Sequence, residues 1–269
     1  MHENERHRII LATVQARPVA SVTDLVEITG ASEATIRRDI AALHMQGALR
    51  RIRGGAEAVN PPRQSALAGQ PFSIKESINM PAKRAIGRAA AEMCIDGEQI
   101  IINGGSTTYQ MVPHLTSKRM SVFTNSFPIA EHLLHNSRNN VVIPGGTVYR
   151  EQNVILSPFG GIVASHFYAR KMFTSCQALG PHGVMEADSL VVQSELALIG
   201  QADRLIVLAD SSKFQSRTSL ILCPLNQVDT VITDSGIRPE DRDMLEAADI
   251  KVIVVETSLD ANQRSASVA

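Results

Sequence analysis

"GASEATIRRDIAALHMQGALRRIRGGAEAV", residues 30–59, decides how the first part of this chain folds. Ser32 is placed to cap a helix that has Glu33 in its first turn. At ~100° per residue, Ile36, Ile40 and Leu43 then share one face, while Thr35, Arg37 and Arg38 point elsewhere. Ala41 and Ala42 also read as outward-facing, so no bulky side chain obstructs the approach of a large partner. After Gly47, Arg50, Arg51 and Arg53 stand beside a double-glycine turn, which reads as a small β-hairpin wing. Five arginines thus fall within residues 37–53, with Asp39 as the single acid among them.

Upstream, a helix around Glu5 to Gln15 turns Ile9, Ile10 and Val14 inward. A second helix carries Val22, Leu25 and Val26 at i, i+3 and i+4 and stops near Gly30. Arginines on an exposed helix are most often a solvated face. Two short helices, a turn and a cationic hairpin together match a winged helix-turn-helix, whose second helix lies in the major groove while the wing tracks the neighbouring backbone. Ser32, Thr35, Arg37, Arg38, Arg50, Arg51 and Arg53 are the residues expected on double-stranded operator DNA.

The whole chain carries no such signal. Its 269 residues have a formal charge of −1, with 44% hydrophobic and 20% charged residues, so nothing global pulls it toward nucleic acid or membrane. No apolar run approaches the ~20 residues that span a bilayer, and "MHENERHR" lacks the apolar centre of a signal peptide. A cytoplasmic protein is expected. Cys94, Cys176 and Cys223 form no CxxC pair and read as buried small hydrophobes, and no spacing suggests a metal site or cofactor.

"NPPRQSALAGQP", residues 60–71, reads as a linker or extended arm. Beyond it a helix runs from Ala82, followed by β-rich runs: "QIIIN", "MSVFTN", "NVVIPGG", "KMFTSC", "RLIVLAD", "DTVITD" and "IKVIVVE". Several are apolar on both alternating faces, as in strands covered by helices on both sides of an α/β sheet. The expected organisation is a DNA-binding domain at 1–58, a linker at 59–80, an α/β domain at 81–256 and a flexible tail at 257–269.

Loops at one edge of a parallel sheet converge on a crevice. "NGGSTT" offers Asn103, Gly104, Gly105, Ser106, Thr107 and Thr108: glycines that admit a close approach, hydroxyls, and a helix start whose N–H groups suit an anion. The same letters also describe a plain turn with a helix cap. "TNS", Thr124, Asn125 and Ser126, ends a second strand similarly and also suits a cap. Asp210 and Lys213 in "LADSSKF" can accept sugar hydroxyls and supply a point charge, or form an ordinary surface turn. Glu195 is either a solvated helix carboxylate or a crevice group. His182 reads as a loop histidine.

The run from Ser32 to Ala56 resembles the signature of the DeoR family of bacterial transcriptional regulators: Ser-x-x-Thr-Ile-Arg-Arg-Asp, a leucine, Gly-x-Leu and a basic stretch ending Gly-Gly-Ala. The resemblance continues in the family's order through "NGGSTT", "TNS", "PGG" with Gly145 and Gly146, "LADSSKF" and "ITD". It implies a winged helix-turn-helix followed by a phosphosugar-isomerase-like sensor domain, no enzymatic turnover, a homo-oligomer (dimer or tetramer) and a phosphorylated sugar or sugar-acid effector. It also places Gly145, Gly146 and a glutamate, here Glu195, at the effector. Two departures stand out: Arg53 where the family often has His, and Asn103 where much of it has Asp. "INGGST", "ILSPFG" and "MFTSCQALGPHGV" resemble the branch of the family that governs L-ascorbate utilisation, implying a phosphorylated sugar acid such as an ascorbate phosphate. Two alternatives remain open. One is a phosphosugar isomerase or deaminase with an appended DNA-binding module, in which Glu195, Asp210 and Lys213 would be base and acid; the other is a purely architectural DNA binder.

Overall fold

The computed structural model describes residues 2–16, 19–59, 72–157 and 165–257. The chain divides into two compact units, Met1–Ala66 and Leu67–Ala269. The linker stretch 60–71, the tail from residue 258 and the second half of "ILSPFG" lie outside the described residues.

In the first unit, helices α1 (Glu3–Ala16), α2 (Val22–Thr29) and α3 (Glu33–Met45) pack on a three-stranded antiparallel sheet. Its strands β1 (Val19–Ser21), β2 (Leu49–Ile52) and β3 (Gly55–Ala58) lie in the order β1-β3-β2. Ser21 and Asp24 form a reciprocal capping box on α2, and Gly30 ends that helix in the left-handed region at φ 66°. Ser32 caps α3 as the sequence predicts. Ile10, Val14, Leu25, Ile36, Ile40, Leu43 and Leu49 close the core. The hairpin has one more partner than expected, since β1 pairs with β3 through Ala20 and Ala56. Gly55 permits this, because a Cβ there would stand 2.2 Å from the Ala20 carbonyl oxygen.

The second unit centres on a seven-stranded sheet, every adjacent pair parallel. It comprises β4 (Gln99–Ile102), β5 (Ser121–Phe123), β6 (Asn140–Val142), β9 (Lys171–Ser175), β12 (Leu205–Leu208), β14 (Thr230–Asp234) and β15 (Lys251–Val255). Its order is β15-β14-β12-β9-β4-β5-β6. Each of the seven apolar runs became one of these strands. Alternation explains their double-sided apolarity: Ile101, Met172 and Val207 join one core, whereas Ile100, Ile102, Phe173 and Ile206 join the other. The helices α5 (Met80–Glu92) and α6 (Phe127–Asn136) cover the second core; α7 (Ser189–Ile199) and α8 (Pro239–Ala247) cover the first. A hairpin of β7 (Thr147–Tyr149) and β8 (Val154–Leu156), and a small sheet β10 (Ala178–Gly180), β11 (Gly183–Glu186) and β13 (Leu220–Cys223), complete the unit.

The strand order reverses once. From β4 the chain moves outward to β5 and β6, then returns to β9 on the other side of β4 and proceeds to β12, β14 and β15. Two loops therefore part at the carboxyl ends of β4 and β9, the place where open α/β sheets present their ligand crevice.

Candidate DNA-reading surface and effector cleft

In the first unit α3 and the wing enclose a groove lined in part by Arg37, His44, Arg51 and Arg53. Arg38 and Arg50 are exposed beside them. Asp39, the acid counted against these arginines, does not offset them. It is turned inward, 5% exposed, accepting hydrogen bonds from Arg6 Nε at 2.8 Å and Nη2 at 3.2 Å, with His7 Nε2 at 3.2 Å. Burial alone would raise the Asp39 pKa, but the bonds from Arg6 and His7 outweigh it and leave the carboxyl below its ordinary range. Arg37 pairs with Glu33 at 2.5 Å and Arg50 with Glu57 at 3.2 Å. Arg38, Arg51 and Arg53 have no ion-pair partner among the described residues. Ser32 and Thr35 are tied to one another, Oγ to Oγ1 at 2.8 Å. Ala41 and Ala42 differ from expectation in being half-buried, so the open face is the one carrying Arg37 and Arg38.

In the second unit a cleft lies at the strand-order reversal. Gly104, Gly105, Ser106 and Thr107 line it from the end of β4, and Ser175, Cys176 and Gln177 from the end of β9. Lys213, Glu186 on β11, Gln152 and Lys75 also line it, with the apolar Phe72, Val154 and Val191. At both glycines neighbouring side chains crowd the place a Cβ would take. A Cβ on Gly104 would come within 2.7 Å of Val154 Cγ2, and one on Gly105 within 1.9 Å of Ser175 Oγ. The N–H groups of Gly105, Ser106 and Thr107 have no acceptor among the described residues. Successive free amides of this kind make an anion-binding concavity.

The other expected effector residues divide into supports and outsiders. Asn125 Oδ1 accepts from Gly104 N–H at 2.8 Å, Thr108 Oγ1 donates to the carbonyls of Asn103 and Gly105, and Asn103 donates to Thr174 Oγ1 at 2.6 Å. These hold the loop from behind. Thr124 and Ser126 serve as turn and cap ahead of α6. Asp210 caps the 3-10 turn Ser211–Phe214 that carries Lys213, accepting from Asn79 Nδ2 at 2.9 Å. Gly145 and Gly146 are exposed in the turn before β7 and do not line the cleft. At Gly146, φ is 158° and a Cβ would meet the Leu156 carbonyl oxygen at 2.0 Å, so this glycine serves hairpin packing, while a Cβ on Gly145 would meet nothing within 4 Å. Glu195 is fully buried behind the cleft. Burial and its neighbour Glu186 push its carboxyl well above the ordinary range, and its Oε2 has no hydrogen-bond partner. His182 is exposed in its loop.

Burial also raises Glu186, to about 7, and lowers Lys75. Lys83, on α5 and 2% exposed, is pushed down to about 8 by burial. Its Nζ donates to Ser106 Oγ at 3.1 Å and to the Lys75 carbonyl at 2.5 Å, pinning the glycine loop. The three cysteines are free and buried, Cys176 with its Sγ pKa raised by burial. Among the described residues there is no cluster of His, Cys, Asp and Glu able to hold a metal, and no helix long and apolar enough to cross a membrane.

The DeoR-like helix-turn-helix domain matches residues 6–61, and the DeoR C terminal sensor domain matches residues 78–235. The chain belongs to the DeoR family. As a DeoR-family protein it is a helix-turn-helix transcriptional regulator, and its full-length relatives agree. The HTH-type transcriptional regulator UlaR of Shigella dysenteriae serotype 1 is 32% identical over 258 residues, covering 95% of this chain and 100% of that protein. UlaR of Escherichia coli strain K12 / DH10B matches with the same identity and coverage. Among solved structures, ribose 5-phosphate isomerase A from Methanocaldococcus jannaschii is 14% identical, covers 50% of this chain and 54% of that one, and has a TM-score of 0.38. The eIF2B delta subunit from Chaetomium thermophilum is 20% identical, covers 51% and 50%, and has a TM-score of 0.39. Likenesses this weak carry no functional weight.

Sequence reading missed Lys75, Gln152, Ser175 and Glu186. Lys75 sits on helix α4 (Phe72–Ser77), inside the stretch 59–80 expected as linker and ahead of the family's sensor-domain match. The apolar Phe72 directly after Pro71, buried at 6% exposure in the structure, was the available signal.

Proposed function

We propose that this DeoR-family regulator represses a sugar or sugar-acid catabolic operon in the cytoplasm, and that a phosphorylated sugar-type effector in the switch-point cleft controls its grip on operator DNA. The observation that carries the effector half is the pairing of free amides at Gly105, Ser106 and Thr107 with the ammonium of Lys213 in one cleft. Backbone N–H groups bind phosphate oxygens, and lysine adds the point charge. On the DNA side, Arg38 reads or holds the major groove while Arg51 and Arg53 follow the adjacent backbone. Ser32 and Thr35 at the start of α3, with Arg37 and Arg50, complete that contact. A dimer or tetramer sets two or more copies of α3 on repeated half-sites. The effector acts by binding the DNA-competent and DNA-released states unequally. The resemblance to the ascorbate-utilisation branch of the family favours a phosphorylated sugar acid.

An isomerase base must stand deprotonated beside its substrate, whereas burial makes Glu186 and Glu195 hold their protons more tightly than ordinary carboxyls, so the cleft does not favour the enzyme reading. The experiment is a thermal-shift screen of the full-length chain against phosphorylated sugars and sugar acids beside their unphosphorylated forms, with a turnover assay on every hit. A shift confined to phosphorylated compounds without turnover supports the regulator's sensor. Turnover of the hit would establish the enzyme, and no shift from any compound would remove the effector assignment.

A further inference from the structure

We propose that Lys75, on the short helix immediately following the stretch that joins the two units, is a direct contact for the effector's anionic group, so that the effector grips the first described helix of the second unit. The inference rests on the effector reading of the cleft and goes beyond it in naming the coupling element.

Four residues fix the segment 72–83 around the cleft. Phe72 N–H donates to the Glu151 carbonyl at 2.9 Å, and its ring meets Tyr109 edge-on at 6.1 Å. Lys75 Nζ donates to Gln152 Oε1 at 2.7 Å. Asn79, held at φ 53°, donates to Asp210 on the turn that carries Lys213. Lys83 joins the Lys75 carbonyl to Ser106 on the glycine loop. Helix α4 is therefore tied to the β7–β8 hairpin, the Lys213 turn and the glycine loop.

Lys75 and Lys213 line the same cleft, and neither has an ion-pair partner among the described residues. The acids that face Lys75 electrostatically are Glu186, Glu195 and Asp188, with Lys213 opposing them. Glu186 and Glu195 are buried and hold their protons more tightly than ordinary carboxyls, so they compensate two ammonium groups poorly. A doubly charged phosphate between Lys75, Lys213 and the free amides supplies the missing charge. When it binds, α4 is drawn toward the glycine loop. The residues that α4 directly follows run back to the DNA-binding unit, so ligand occupancy bears on that connection without a relay through the sheet.

The test is hydrogen–deuterium exchange of the full-length protein titrated with inorganic phosphate, for wild type, Lys75→Met and Lys75→Arg. Phosphate is expected to slow exchange both at 104–108 and at 72–79 in wild type. Lys75→Met should weaken phosphate binding about tenfold or more and lose the protection of 72–79, while Lys75→Arg, which keeps the charge, retains most of both. Protection of 104–108 with 72–79 unchanged, or an unaltered phosphate affinity in Lys75→Met, would overturn the inference while leaving the effector cleft standing. No protection at 104–108 in wild type would instead overturn the effector reading, and the role of Lys75 with it.

Discussion

Gly105→Ala isolates the geometry on which the effector cleft depends. The glycine's φ is not in the left-handed region, so alanine is acceptable to the backbone and the whole cost is steric. The new methyl would stand 1.9 Å from Ser175 Oγ and 3.0 Å from both Ser175 Cβ and Thr108 Oγ1, where ordinary contact begins at 3.4 Å. Rotating Ser175 relieves the first contact and leaves the other two, so the loop must retreat from the end of β9. Such overpacking costs about 1–3 kcal/mol. For a unit of this size that lowers the unfolding midpoint by roughly 2–12 °C, at ~2–4 °C per kcal/mol. The retreat also misdirects the amides of Ser106 and Thr107, so the stabilisation by added phosphate should vanish. Urea unfolding with and without phosphate measures both, and the double variant G105A/S175G identifies the cause. Removing Ser175 Oγ and Cβ should return at least ~1 kcal/mol relative to the sum of the single variants. A Gly105→Ala protein within about 0.5 kcal/mol of wild type that still responds to phosphate would refute the reasoning, because surface-like tolerance is incompatible with this contact.

Gly87→Ala should be at least as damaging, since its Cβ would meet the Gln110 backbone at 2.5 Å and backbone cannot rotate away. A lowered midpoint with weakened phosphate binding, through displacement of Lys83 on the same helix, is the expected pair of readings in the same urea assay. Asp39→Asn should lower the stability of the DNA-binding unit at neutral pH. Because the folded pKa of Asp39 is depressed, its contribution is present above the ordinary carboxylate range and is lost as pH falls below it, and the variant should lack that acid-side loss in circular-dichroism melts. Sulfate, which does not titrate here, should bind the cleft more strongly at pH 6 than at pH 8, because protonation of Glu186 near 7 removes a negative charge facing Lys75 and Lys213. Lys83 gains charge in the same direction near 8, so Glu186→Gln should flatten only the part centred near 7 in calorimetric titrations. Arg38→Ala should weaken operator binding about tenfold or more while sparing phosphate binding, as a gel-shift series would show.

The sheet was legible because each strand's apolarity is a local property: Ile100, Ile101 and Ile102 announce a strand buried on both faces regardless of what packs on them. The same holds for α3, whose cap and periodicity lie within one stretch of chain. The cleft was half legible. Gly104 to Thr107 carry a glycine-and-hydroxyl pattern in consecutive residues, whereas Lys75, Gln152, Ser175 and Glu186 meet only because the strand order reverses between β4 and β9. No local pattern marks them. Gly146 shows the converse ambiguity, since a glycine admitting close approach of a ligand reads the same in sequence as one admitting the backbone of β8. Asp39 misled for a related reason: its partners Arg6 and His7 stand a whole helix away in sequence.

The most direct test of the central claim is a fluorescence-anisotropy titration of the full-length chain on DNA selected from its own genome, with and without the compound found in the effector screen, for wild type and Lys213→Ala. The account predicts a shift of roughly 5- to 150-fold in DNA affinity on adding the compound to wild type. Lys213→Ala should bind the DNA equally well without the compound and fail to respond to it. A DNA affinity indifferent to every phosphorylated sugar and sugar acid, or a Lys213→Ala protein that responds as wild type does, would contradict it.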